Sequence, residues 1–278
     1  VSALAGSLVP QVVPAVTATS TAVAAEAAAP VTERPDRWSA SLAASQQGSR
    51  VDVVSDRSET SRTWANPDGS FTAELATGVQ RVQDADGSWH EVDLTLASSG
   101  GKVAPRVGAV DLALSPGGTG PVVSLSDPRS SLAVQVGAGG LTLPAPTLAG
   151  NVATYVEVRP GVDLRVTAMR AGYEIDFIIK TKPTDPLSFN LPVTVAGATV
   201  KPGADGSLAL TDGKGKLLGF GGAPLMWDAT TDAKTAQPAR STLVSTVVAA
   251  PKPLSSALTL ATGEKVPAGD AVTSSYTL

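Results

Sequence analysis

The chain has 278 residues, with 27 glycines, 21 prolines, 4% aromatic residues and no cysteine. The lack of cysteine excludes disulfides, thiolate nucleophiles and cysteine-ligated zinc sites. The formal net charge of −4 argues against a nucleic-acid partner, because binding a phosphate backbone requires a basic surface. This length permits one large domain or two smaller ones with cores that need no cross-links.

Residues 1–27 resemble the apolar and cleavage regions of a secretory signal peptide whose basic start is missing. The first 25 residues carry no charge, and Ala22-Val23-Ala24 and Ala25-Glu26-Ala27 both fit the small-residue cleavage pattern. Pro10 and Pro14 interrupt the run, which leaves no apolar stretch long enough for a stable membrane span. These features predict a secreted or cell-surface bacterial protein, with a disordered alanine-rich leader as the alternative.

Residues 28–50 are small and polar, and they predict a flexible lead-in with a short helix around 38–44. A β-sandwich region is predicted over residues 51–228, where Asp-Gly and Pro-Gly turn signals alternate with short apolar runs. The runs with strand composition are 71–75, 89–96, 122–125, 132–136, 152–158 and 193–200. Many short strands without a long amphipathic helix predict an all-β fold, either one large, mostly antiparallel β-sandwich or two sub-sandwiches.

Residues 229–278 lose apolar periodicity at first, which predicts a linker followed by the start of a further β segment. At the end of the sequence apolar and polar residues alternate as in a strand, and no turn signal follows them. The sequence also begins without methionine. We therefore expect the chain to be a fragment of a longer protein.

The segment 84–93 combines four carboxylates with His90, the one histidine of the chain. It partly resembles a calcium loop, but Thr95 stands where such a loop needs a glutamate. The sequence therefore leaves undecided whether Asp84 and Asp86 form a weak calcium site. A catalytic His90 would need a serine nucleophile, and the sequence has no nucleophile-elbow motif. The Asp-Gly pair favours a plain hairpin turn, and the sequence assigns no metal, cofactor or catalytic residue.

The densest ordered charges lie in residues 155–183. Alternation separates 162–167 and 173–180 into an apolar face and a charged face, and a loop over 169–172 would place Arg165 opposite Asp176 and Thr167 opposite Glu174. The same register sets three apolar pairs on the other face: Val162 with Ile179, Leu164 with Phe177, and Val166 with Ile175. The favoured interpretation is a solvated face of a β-sheet.

The alternative is a ligand face. Its residues would be Asp163, Arg165, Glu174 and Asp176, with Trp64 and Trp227 as aromatic platforms for a carbohydrate. A glycosidase would need two carboxylates flanking a cleft, one of them with a raised pKa, whereas cationic neighbours keep these carboxylates ionised.

Several turn-and-strand motifs resemble the N-terminal region of large secreted actinobacterial surface proteins. They are Asn66-Pro67-Asp68-Gly69-Ser70-Phe71, Asp86-Gly87-Ser88-Trp89, Pro160-Gly161-Val162-Asp163-Leu164 and Met226-Trp227-Asp228. In that group this region precedes DNRLRE-type, LamG-like or RHS/YD-repeat modules, and the resemblance covers about residues 51–228.

The resemblance implies a non-catalytic structural or interaction module of an exported protein. Its implied partners are downstream modules of the same polypeptide, and cell-wall or extracellular glycans. A carbohydrate-binding module of a secreted carbohydrate-active protein is the first alternative, and a glycoside hydrolase-like domain with an acid pair is the second.

Overall fold

The computed structural model describes residues 29–127, 129–235, 240–253, 258–259, 265–266 and 270–277. The signal-like segment 1–27 lies outside the described residues.

The elements are numbered in chain order. The N-terminal elements are β1 (Glu33–Arg34), α1 (Arg37–Gln47), β2 (Val51–Val53), a 3₁₀ turn (Val54–Asp56), β3 (Ser61–Ala65), β4 (Phe71–Leu75), β5 (Arg81–Gln83) and β6 (Trp89–Glu91). The central strands are β7 (Asp93–Ser99), β8 (Lys102–Val107), β9 (Asp111–Leu114), β10 (Val123–Ser126), β11 (Ala133–Val136), β12 (Thr147–Ala149), β13 (Val152–Arg159), β14 (Val162–Met169), β15 (Gly172–Ile179) and β16 (Ser188–Ala196). The C-terminal strands are β17 (Thr199–Pro202), β18 (Leu208–Thr211), β19 (Leu217–Gly221), β20 (Leu225–Trp227), β21 (Ser241–Leu243), β22 (Ser245–Val248), β23 (Lys252–Pro253), β24 (Leu258–Thr259), β25 (Lys265–Val266) and β26 (Asp270–Thr277).

These strands form several mostly antiparallel sheets, which confirms the predicted all-β, sandwich-like fold. The large sheet has nine strands in the order β22-β26-β16-β11-β10-β9-β8-β7, with β23 also paired to β26. The cover sheet is β12-β13-β14-β15, the N-terminal sheet is β1-β2-β3-β4, and β17-β18-β19 form a small sheet. No helix in the described ranges is long and apolar enough to cross a membrane.

The main core lies between the cover sheet and the large sheet. Along β14 every second side chain, from Val162 to Ala168, is buried, while the residues between them are half-buried. The ring of Phe177 on β15 stacks on Phe189 of β16 with centroids 3.9 Å apart. Tyr155 on β13 is completely buried, and its hydroxyl donates to the backbone oxygen of Ser115, 2.7 Å away. The buried phenol therefore keeps its hydrogen bond while it fills the core.

The N-terminal sheet packs on α1, where the sequence predicted a flexible lead-in. Asp36 caps the helix by accepting from the backbone N–H of Ser39, and Gly48 ends it in the left-handed conformation. The contact is narrow, because only Ala40 and Ala44 of the helix are buried. The buried stripe of the helix consists of two alanines four residues apart, which give only a weak hydrophobic pattern in the sequence. The predicted helix over 38–44 is therefore shorter than the one observed.

A buried aspartate links the N-terminal sheet to the β5–β6 hairpin. Asp52 on β2 is 1% exposed and accepts from Arg57 at 2.7 Å and also from Arg62. Arg62 also forms an ion pair with Glu91 on β6, and Glu91 forms a second one with the buried Arg81. The side chains of Asp52, Arg57 and Arg81 are buried, so removing a partner of any of them leaves a buried charge uncompensated.

Some boundaries differ from the sequence predictions. The run 89–96 is divided between β6, which pairs with β5, and β7, which belongs to the large sheet. The run 193–200 is not one strand, because Gly197 adopts a φ of +74° and a Cβ there would lie 2.0 Å from the backbone oxygen of Ser131. The further β segment expected within 229–278 belongs to the large sheet, since β26 pairs with β16 along its length. The alternation of apolar and polar residues identifies β26 as a strand. Its pairing with a segment more than 70 residues away cannot be recognised from the local sequence.

The core contact predicts a clear contrast between two leucines. Leu164→Ala should lower the free energy of unfolding by about 2–5 kcal/mol, because Leu164 is 0% exposed and its removal leaves a cavity. Leu75→Ala should change it by less than about 0.5 kcal/mol, since Leu75 is 82% exposed. Urea denaturation monitored by circular dichroism measures both. Equal effects of the two substitutions would contradict this account of the core.

Candidate functional site

The charged face of the cover sheet has the predicted register. In the β14–β15 hairpin Arg165 pairs with Asp176 and Thr167 with Glu174, and Met169 pairs with Gly172 at the turn. The three predicted apolar pairs are also present on the opposite face, which confirms the whole hairpin register.

Arg165 and Asp176 form the central ion pair of this face. The Nε and Nη2 atoms of Arg165 both donate to Oδ2 of Asp176, at 3.0 and 2.9 Å. The Asp176 side chain is 8% exposed and that of Arg165 is 41% exposed. This carboxylate is therefore shielded, whereas the sequence predicted a solvated face. Glu174, two residues earlier, is exposed and forms no ion pair with any described residue.

A β-bulge shapes the end of the face near Asp163. The β13–β14 register shifts between Tyr155 and Arg159, and Glu157 within the bulge has a φ of +56°. A left-handed conformation costs a residue with a side chain about 1 kcal/mol or more. Two hydrogen bonds stabilise this conformation of Glu157. Its N–H donates to Oδ1 of Asp163 at 2.7 Å, and the Oε2 atom of Glu157 accepts from the Gly161 N–H at 2.9 Å.

Lys180 joins the two carboxylates at this bulge. Its Nζ lies 2.7 Å from Oε1 of Glu157 and 2.7 Å from Oδ1 of Asp163. The hydrogen bond from Lys180 lowers the pKa of Glu157 and that of Asp163. The hydrogen bond to Asp163, and to a smaller extent the one to Glu157, raises the pKa of Lys180. At neutral pH both acids are therefore carboxylates and the amine is an ammonium, so this trio supplies neither a general acid nor an amine nucleophile.

Glu157 and Lys180 are absent from the ligand face that the sequence suggested. Lys180 could have been found, because it continues the alternation that places Glu174 and Asp176 on one face. Glu157 could not, since the positive φ depends on a register shift that the local pattern does not encode.

The two candidate tryptophans lie on other sheets than the charged face. Trp64 belongs to β3 of the N-terminal sheet, where the guanidinium groups of Arg50 and Arg62 lie 4.5 and 5.4 Å from its ring centroid. These cations occupy ring surface that a sugar would need for stacking. Trp227 on β20 is 43% exposed and pairs with Ser241 across a two-stranded ribbon. The charged residues and the tryptophans therefore do not form one continuous surface on a single sheet.

Residues 84–93 form the predicted hairpin turn. Gly87 has a φ of +89°, and its N–H donates to the backbone oxygen of Asp84. Asp86 accepts from the Ser88 N–H, and this hydrogen bond lowers the pKa of Asp86. His90 is on the surface with Nε2 2.8 Å from Oδ2 of Asp84. Among the described residues no three histidine or carboxylate side chains are grouped as a metal site would need.

Comparisons of the chain with known protein families, with curated proteins and with solved structures find no match.

The Arg165–Asp176 pair predicts a recoverable charge reversal. Arg165→Asp and Asp176→Arg should each lower the free energy of unfolding by about 1–3 kcal/mol, because each places like charges opposite one another around a shielded position. The double variant should regain most of this loss. Glu174→Lys serves as a control on the same strand and should change stability by less than about 0.5 kcal/mol. A double variant no more stable than the worse single variant would show that the two residues do not interact.

The Lys180 cluster predicts a loss of stability in acid. A carboxyl with a lowered folded pKa stabilises the protein fully above its unfolded pKa, and the contribution disappears as pH falls through the folded value. With ordinary values of 4.5 for Glu157 and 3.8 for Asp163, the loss should begin below about pH 5. Lys180→Met should flatten the acid limb of a stability-against-pH curve measured by urea denaturation. Lys182→Met is the control, and the same flattening in both variants would contradict the assignment.

Proposed function

We propose that this chain is a non-catalytic structural or interaction module of an exported cell-surface or extracellular protein. The observation that carries the proposal is the ion pairing on the charged face of the cover sheet. Close ion pairs join Arg165 to Asp176, and Lys180 to Glu157 and Asp163, on the cover sheet. Such pairs fix strand register. Lys180 lowers the pKa of Glu157 and that of Asp163, so neither carboxyl is a general acid near neutral pH.

Export is proposed on the sequence of residues 1–27. An uncharged apolar run followed by two small-residue cleavage patterns is typical of secretory leaders. The turn-and-strand motifs similar to those of actinobacterial surface proteins support the same compartment. In this proposal the downstream modules of the same polypeptide are the main partners, and the β-rich region positions them outside the cell.

Carbohydrate binding is the second candidate, because two tryptophans are exposed. Trp38 on α1 is 76% exposed and Trp227 on β20 is 43% exposed. Exposed aromatic rings supply the flat apolar surface on which a sugar ring can stack. A glycoside hydrolase receives less support, since the pKa values of Glu157 and Asp163 are lowered whereas a catalytic acid needs a raised one.

The two leading candidates can be separated with the 278-residue chain on a glycan array and in a glycoside-hydrolysis screen. The proposal predicts no hydrolysis and no saturable glycan binding that depends on a tryptophan. Binding that Trp227→Ala or Trp38→Ala abolishes, while Leu225→Ala on the same ribbon retains it, would establish the carbohydrate-binding alternative instead. Hydrolysis that Asp163→Asn or Asp176→Asn abolishes would overturn the non-catalytic assignment.

A further inference from the structure

A shallow cavity of about 250 Å³ lies beside the end of the large sheet formed by β8, β9 and β10. Ala113 and Ser124 pair across β9 and β10 and line it with small side chains. Since side chains alternate along a strand, these two point away from Val123 and Leu114, which face the core. The cavity therefore lies on the side of the sheet that is opposite to the cover sheet.

Hydrogen bonds to the core and to a neighbouring segment fix the cavity wall. The backbone oxygen of Ser115 accepts the buried hydroxyl of Tyr155. Gly118 exchanges two backbone hydrogen bonds with Leu143, at 2.7 and 2.8 Å. Between them Gly117 adopts a φ of +113°, and a Cβ there would lie 3.1 Å from the Pro144 oxygen. The wall is therefore preformed, as in most small-molecule sites.

Hydrogen-bond donors without a described acceptor lie in the segment from Gly100 to Lys102 at the cavity. Lys102 is the one charged side chain among the lining residues, and it has no ion-pair partner within the described part of the chain. Gly100 and Gly101 form the adjoining β7–β8 turn with positive φ angles, and their N–H groups donate to none of the described acceptors. The Ser124 Oγ is buried and has no partner among the same residues. A cation beside free amide N–H groups is a favourable environment for an anion.

We propose that this cavity binds a small anion through a carboxylate or phosphate group. Lys102 supplies the charge, and the amides of the Gly100-Gly101 turn supply neutral donors. The volume is below the range of about 300–1,000 Å³ that is typical of sites for drug-sized ligands, so the ligand is no larger than a sugar acid. This site is independent of the proposed structural role, because it lies on another face of the molecule than the charged face of the cover sheet.

The test is a titration of the ¹⁵N-labelled 278-residue chain, followed by nuclear magnetic resonance at constant ionic strength. The probes are acetate, glucuronate and inorganic phosphate, with glucose as the neutral counterpart of glucuronate. We expect saturable shifts of the Gly100, Gly101 and Lys102 amides with at least one anion and none with glucose. Lys102→Met should weaken this binding about tenfold or more, because it removes a charge-assisted hydrogen bond. Lys201→Met, which removes an exposed lysine of β17, is the matched control and should leave binding unchanged.

The responding probes identify the ligand group. A response to phosphate alone indicates a phosphate group, and a response to acetate or glucuronate indicates a carboxylate. The proposal is overturned if none of the three anions shifts these amides saturably. It is also overturned if Lys102→Met, with an otherwise unchanged spectrum, binds as tightly as the unmodified chain.

Discussion

The stacked rings of Phe177 and Phe189 lie in the apolar contact on which the rest of this structure depends. They join β15 of the cover sheet to β16 of the large sheet, 3.9 Å apart. Around them the alternating side chains of β14 and the buried ring of Tyr155 fill the space between the two sheets. Each fully buried side chain of this size contributes about 1.5–3 kcal/mol relative to an exposed one, so this layer outweighs any single surface ion pair.

This apolar contact also determines what the charged face can be. Because the period along a strand is two, packing Leu164 and Phe177 against the core directs Arg165 and Asp176 to the other side of the cover sheet. There the charges pair across strands, and the bulge at Glu157 brings a further carboxylate to Lys180. The charge density that suggests an active site in the sequence is thus a consequence of sheet geometry, and Lys180 keeps Glu157 and Asp163 ionised.

Local pattern predicted the hairpins well and the long-range structure poorly. The β14–β15 register follows from alternation and a four-residue turn, both visible in the sequence. The position of β26 beside β16 is a pairing between distant segments, which cannot be recognised from a single sequence. The parallel pairing of β1 with β2 was missed for another reason, since a two-residue strand is too short to show any period. Of the site, the pair Arg165–Asp176 was predictable, whereas the burial of Asp176 and the bulge at Glu157 depend on the assembled sheets.

Native-state hydrogen exchange tests most directly whether the layer between the cover sheet and the large sheet holds the molecule together. β14 has a hydrogen-bonded neighbour on each side, whereas all five residues of β4 at the edge of the N-terminal sheet are exposed. The account predicts that amides of β14 exchange only through global unfolding, with a free energy equal to that from urea denaturation, and that amides of β4 exchange through smaller openings. Exchange of β14 amides at free energies as low as those of β4 would contradict it.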